Sequence, residues 1–135
     1  MATVRKEAWP DRLSHLVPPI KYLTENGFSI VRLSELDLSV SATPEDCRFL
    51  VWSDNAPERV IRVEFQSTLI DELRIRRRRL PLLDTSPFWI VCAESCLANY
   101  LWEQNDFPAA DRLVINELSP DQLMLALNWR DGDRD

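Results

Sequence analysis

Two stretches of this chain keep an apolar residue at every second position, and turn chemistry separates them: CRFLVWS (47–53), DNAPE (54–58) and the strongly alternating RVIRVEFQS (59–67). Successive side chains of a strand point to opposite faces. One face therefore collects Cys47, Phe49, Val51, Ile61, Val63 and Phe65, all apolar, while Asp46, Arg48, Leu50, Trp52, Arg62, Glu64 and Gln66 share the other. The pattern predicts a long β-hairpin whose apolar face belongs to the core. A three-residue loop at 55–57 sets Arg48 opposite Glu64 and Asp46 opposite Gln66, making Asp46 and Glu64 diagonal neighbours. A two-residue loop or a bulge changes the parity.

Prolines punctuate the remainder, nine against two glycines. Residues 11–27 (DRLSHLVPPIKYLTENG) carry Leu13, Leu16, Val17, Ile20 and Leu23 at helical spacing, with a break at Pro18-Pro19 and Gly27 placed to end the helix. FSIVRLSEL (28–36) reads as a strand and LSVSATPED (38–46) as a loop. TLIDELRIRRRRLPLL (68–83) predicts a helix started by Ser67 or Thr68, with Asp71 and Glu72 in its first turn and a stop near Pro81. FWIVCAE (88–94), a continuous apolar run, has the form of a buried central strand. CLANYLWEQN (96–105) predicts a helix and DRLVINEL (111–118) a strand. SPDQLMLALNWR (119–130) predicts a closing helix with a Ser-Pro-Asp start. The order is helix, three strands, helix, strand, helix, strand, helix. It implies an α/β fold in which a three-strand meander and a helical crossover make a mixed sheet flanked by helices.

A chain of 135 residues suits one domain, residues 1–130, with DGDRD (131–135) as a disordered tail. The formal net charge of −6 argues against a generally basic nucleic-acid binder, yet RIRRRR (74–79) places five of sixteen basic residues within six positions. Cys47, Cys92 and Cys96 form an odd set with no CxxC spacing, so disulfides and structural zinc are poorly supported and the three read as small buried or half-buried hydrophobes. No apolar run approaches the ~20 residues that span a membrane, and the first residues lack a signal-peptide core, which points to the cytoplasm. Scarce glycine removes phosphate-cradling loops and with them a nucleotide cofactor.

Two carboxylates as close as Asp46 and Glu64 repel unless a cation lies between them, so the pair either binds a divalent metal such as Mg2+ or Mn2+ or shifts a pKa upward. The alternative is a solvated cross-strand network in which Arg48 and Arg62 neutralise Glu64. Arg74, Arg77 and Arg78 share an outer helix surface that would track a phosphate backbone or pair with acids of the same chain or a partner. His15, the only histidine, has no nucleophile partner in the pattern. Trp52, on the polar face, is the tryptophan placed to stack on a base.

VEFQST at a hairpin's end, followed by an arginine-rich helix and preceded by Asp46 18 residues before Glu64, resembles the recombination-promoting nuclease and transposase-like branch of the PD-(D/E)XK nuclease superfamily. The resemblance covers about residues 12–95 and is specific only over VEFQS and the upstream acid. It implies a restriction-endonuclease-like core of helix, three strands, helix and strand, with the last strand and helix added. It also implies Mg2+- or Mn2+-dependent DNA hydrolysis, with Asp46 and Glu64 as metal ligands and Gln66 in place of the usual lysine. An acid on the first helix is implied as well, for which Glu25 and then Glu7 are candidates. Asp46 lies within PED, which leaves Glu45 as an alternative partner for Glu64. Gln66 carries no charge, so it is a weaker stabiliser of a transition state than lysine, and impaired catalysis is expected. A non-catalytic interaction protein on the same fold, acting on a partner or as a homodimer, is the competing expectation.

Overall fold

In the computed structural model the described residues are 2–5, 21–77 and 82–130; His15, Glu7, Arg78 and the 131–135 tail lie outside them. Six strands form one sheet in sequence order: β1 (Ala2–Arg5), β2 (Lys21–Thr24), β3 (Ser29–Arg32), β4 (Cys47–Ser53), β5 (Ala56–Phe65) and β6 (Arg112–Ile115). The first five are antiparallel to their neighbours, and β6 lies parallel to β5. The helices are α1 (Leu33–Leu36), α2 (Ser67–Arg76), α3 (Pro87–Gln104) and α4 (Pro120–Asn128). The expected α/β architecture, a mixed sheet flanked by helices, is present.

Several expected elements differ. Lys21–Thr24 is a strand instead of the end of a helix, because Gly27 turns the chain back into β3. At φ 98° it closes a tight loop, with its N–H on the Thr24 carbonyl at 3.0 Å and Thr24 N–H on the Phe28 carbonyl at 2.9 Å. The strand foreseen over 28–36 ends at Arg32 and passes into α1. Neither Ser67 nor Thr68 caps α2: Gln66 holds the N-cap position without a side-chain bond, and no acid lies in the first turn.

The largest correction concerns FWIVCAE. It is the first half of α3, an 18-residue helix that also takes in CLANYLWEQN. Ser86 caps it by accepting from Phe88 N–H at 3.2 Å, and Pro87 occupies the first turn, where its missing donor costs nothing. The apolar run is continuous because α3 is buried over most of its girth: Phe88, Trp89, Ile90, Cys92, Ala93, Leu97 and Leu101 all enter the core. Asn105 ends the helix in a left-handed conformation (φ 54°).

The inner face of the hairpin is core as expected, with Cys47, Phe49, Val51, Ile61 and Val63 fully buried beneath α3. Trp89 packs edge-on against Phe65 at 5.1 Å and Phe88 at 5.2 Å, and Phe88 meets Trp129 at 5.7 Å. This aromatic group fixes the end of β5 against α3 and the residue that ends α4. On the outer face, Lys21, Ser29, Val31 and Leu50 are buried over β2–β4, whereas Val60, Arg62 and Val114 are open to solvent over β5–β6.

Candidate functional site

The hairpin register decides which outer-face residues meet. β4 and β5 join through a two-residue turn, Asp54-Asn55, and the register shifts between Val51 and Ser53. The short turn alone would reverse the parity, and one extra residue in β5, at Pro57-Glu58 opposite Trp52, restores it. The faces are therefore as expected but the partners are not: Arg48 lies opposite Arg62, not Glu64. Arg62 in turn lies opposite Arg112 of β6, and Glu64 opposite Val114. Three arginines thus form a row across three adjacent strands, about 10 Å long at the usual strand spacing.

Like charges directly opposite destabilise a sheet, and Asp46 and Glu64 offset the row from one side. Arg48 donates Nε and Nη2 to Asp46 at 3.0 and 2.9 Å. Arg112 donates Nε and Nη2 to the two oxygens of Glu64 at 2.8 Å each. Arg62 stands between the acids, its Nη2 3.3 Å from Glu64 and its Nε 3.9 Å from Asp46. The hydrogen bonds from Arg112 hold the Glu64 carboxyl below its ordinary pKa, aided by the charge of Arg62 and opposed by slight burial. The acids do converge on a shared cation, but that cation is a guanidinium.

A metal therefore fits poorly here. Every oxygen of both carboxylates already accepts from an arginine, and among the described residues no group of three His, Cys, Asp or Glu side chains could hold an ion. Glu45 is exposed beside Asp46. Gln66 is exposed at the head of α2, its N–H bound to the Ile115 carbonyl at 2.9 Å. Glu25 sits in the β2–β3 turn, beyond the Trp52 end of β4 and far from Asp46. Trp52 is half-buried, with Lys21 Nζ 5.5 Å from its ring centre.

The helix arginines are spent internally. Arg74 pairs with Asp84, Arg76 with Glu72 at 3.7 Å, and Arg77 donates to the Ala126 carbonyl, tying α2 to α4. The residue missed by sequence reasoning is Arg112: it enters from a distant strand, and no local pattern marks it. No helix among the described residues is long and apolar enough to cross a membrane. No protein-family model, curated protein or solved structure matches the chain.

Proposed function

We propose that this chain is a nuclease-like domain that binds without cutting, using the outer face of β4–β6 on a restriction-endonuclease-like sheet. The strand order supports the likeness: a β3–β4–β5 meander, a helical crossover, and β6 parallel to β5. Asp46 at the head of β4 and Glu64 near the end of β5 hold the positions that the resemblance assigns to metal ligands. The observation that carries the reading is the guanidinium of Arg62 between those two acids, flanked by Arg48 and Arg112. Arginine there supplies charge without a Lewis acid or a metal-bound hydroxide.

The partner favoured by this chemistry is a phosphate backbone. Arg48 and Arg112 each spend the Nε–Nη2 edge on one carboxylate, Arg62 divides its edge between Glu64 and Asp46, and among the described residues none of the three has a partner at Nη1. Labelled duplex DNA titrated by fluorescence anisotropy should bind weakly, with a log–log salt slope no steeper than about −2.7, the value for three phosphate contacts. Arg62→Ala should weaken binding, and plasmid DNA should stay intact with Mg2+ or Mn2+. Metal-dependent nicking that Glu64→Ala abolishes would restore the active-enzyme reading.

A second reading, a protein partner or a second copy, draws on Val60 and Val114, which are 45% and 38% exposed on the same face as the arginines. Mixed arginine and aliphatic surface suits a protein interface. Light scattering separates the two: a concentration-dependent dimer weakened by Val114→Asp favours self-assembly.

A further inference from the structure

We propose that Asn26-Gly27, in the turn between β2 and β3, is a self-modification site gated by α3: Asn26 deamidates when the turn leaves the end of that helix, and the product no longer clasps it. The site lies at the opposite end of β4 from Asp46 and does not depend on the arginine row. Asn26 reaches from the turn to the C-terminus of α3, 75 residues away in the chain. Its Nδ2 donates to the Leu101 carbonyl at 2.9 Å and to Asn105 Oδ1 at 3.1 Å, while its Oδ1 accepts from the Thr24 hydroxyl at 2.6 Å. The last carbonyls of a helix lack partners within it, so this side chain closes the end of α3 from outside.

An asparagine followed by glycine is open to attack by its own backbone, because glycine has no side chain to keep the next nitrogen away from the amide carbon. Gly27 is exposed at φ 98°, and the space that a Cβ would take there is empty to 4 Å. In the reaction the Gly27 nitrogen, having given its proton to hydroxide, attacks Cγ of Asn26. An N–C bond forms, the Cγ–Nδ2 bond breaks, and the amide nitrogen takes a proton from water to leave as ammonia. Water then opens the five-membered imide at either carbonyl. The product at this position is an aspartate or, where the chain now runs through Cγ, an isoaspartate.

The closed turn blocks the first step twice. Gly27 N–H donates to the Thr24 carbonyl at 3.0 Å, which engages the nucleophile, and the three bonds to Asn26 hold its amide toward α3. Attack requires the turn to open, a local event in a ladder of two residue pairs, Tyr22 with Ile30 and Leu23 with Ser29. A cavity of about 340 Å3, lined in part by Asn26, Gly27, Asp54, Asn105 and Asp106, brings the second reactant, water, to the same place. The change runs one way. A carboxylate has no donor for the Leu101 carbonyl or for Asn105 Oδ1, it stands at the negative end of α3, and it shares the cavity with two further acids.

Two variants loosen the gate and leave the reacting pair intact. Asn105→Gly removes the Oδ1 acceptor and suits the left-handed backbone (φ 54°) that ends α3. Thr24→Val removes the hydroxyl that holds Asn26 Oδ1. The full chain and a synthetic peptide of residues 22–30 are incubated at mildly alkaline pH, and conversion at Asn26 is followed by peptide mass spectrometry. The folded chain should convert at least about tenfold more slowly than the peptide, as an open fraction below about one in ten requires. Each variant, shown to be folded by circular dichroism, should convert several-fold faster than wild type. Asn26→Asp, which stands in for the product, should melt at a lower temperature than wild type. A folded chain that converts as fast as the peptide, a folded variant with an unaltered rate, or an Asn26→Asp protein as stable as wild type overturns the proposal.

Discussion

Glu64 of β5 receives both donors of one guanidinium edge from Arg112 of β6, at 2.8 Å each, although 48 residues separate the two in the chain. That fork-to-fork pair, with Arg62 at its side, takes the place that a divalent ion would need.

Arginine should therefore exclude the metal, and its removal should admit one. Wild-type protein is expected to show no saturable Mn2+ binding below about 1 mM by electron paramagnetic resonance, while Arg62→Ala/Arg112→Ala binds at least about tenfold tighter, a gain of roughly 1.4 kcal/mol. Micromolar affinity in the wild type would contradict the exclusion.

Two arginine-paired carboxylates should respond to pH in opposite directions. Arg112 holds the Glu64 pKa down, so its contribution to stability is present above the ordinary carboxylate value and is lost as pH falls through the depressed one. Glu94 on α3 accepts from Arg32 at 2.9 and 3.3 Å, but burial outweighs the pair and holds its pKa up. Arg32 gains from the same pair and holds its proton more tightly; the ends differ because Glu94 is 9% exposed and Arg32 26%. The stability linked to Glu94 is thus present below the ordinary value and lost as pH rises through the raised one. Melting temperatures from pH 3 to 8 should show the wild-type advantage over Glu64→Gln growing with pH, and that over Glu94→Gln shrinking. Glu94→Ala, which leaves Arg32 the 3.7 Å ion pair with Glu35, should cost about 2 kcal/mol. Parallel pH curves for the two Gln variants would refute the assignment.

Ala110 lies at φ 57°, ψ 22° in the short 3-10 turn (Ala109–Asp111) that leads into β6. A left-handed alanine costs ~1–2 kcal/mol, of which glycine returns part to unfolded-chain entropy. Ala110→Gly should stabilise by about 0.5–1 kcal/mol and raise the melting temperature by roughly 2–4 °C in calorimetry. A lower melting temperature would mean that the turn is not strained.

Much of the hairpin was legible, because alternation assigns faces whatever the register, and the acids Asp46 and Glu64 converge on one cation. Their partners were not legible, since the turn and the β5 bulge opposite Trp52 together moved the pairing by two residues. FWIVCAE misled because a helix buried on most sides loses its amphipathic period and looks like an inner strand. The distinguishing signal was present: Ser86-Pro87 starts α3 as Ser119-Pro120 starts α4. Gly27 reads equally well as a helix stop or a hairpin turn, and only pairing with β3 selects the second. Arg112 was out of reach because parallel pairing joins residues that no local spacing relates.

That parallel pairing also bears on the sequence of events during folding. The β4–β5 hairpin closes over a two-residue turn, whereas β6 can dock only after the whole 66–111 connection has formed. Local contacts precede those that must first close a long loop. Arg48 and Arg62 would then face each other early, with Asp46 and Glu64 as the only nearby relief, and Arg112 would arrive last. In stopped-flow denaturant jumps, Arg112→Ala should hasten unfolding and leave refolding nearly unchanged, while Glu64→Ala slows refolding. The bond that ties Glu64 to Arg112 would then act as a latch set at the end, governing how long the native state survives more than how quickly it is reached.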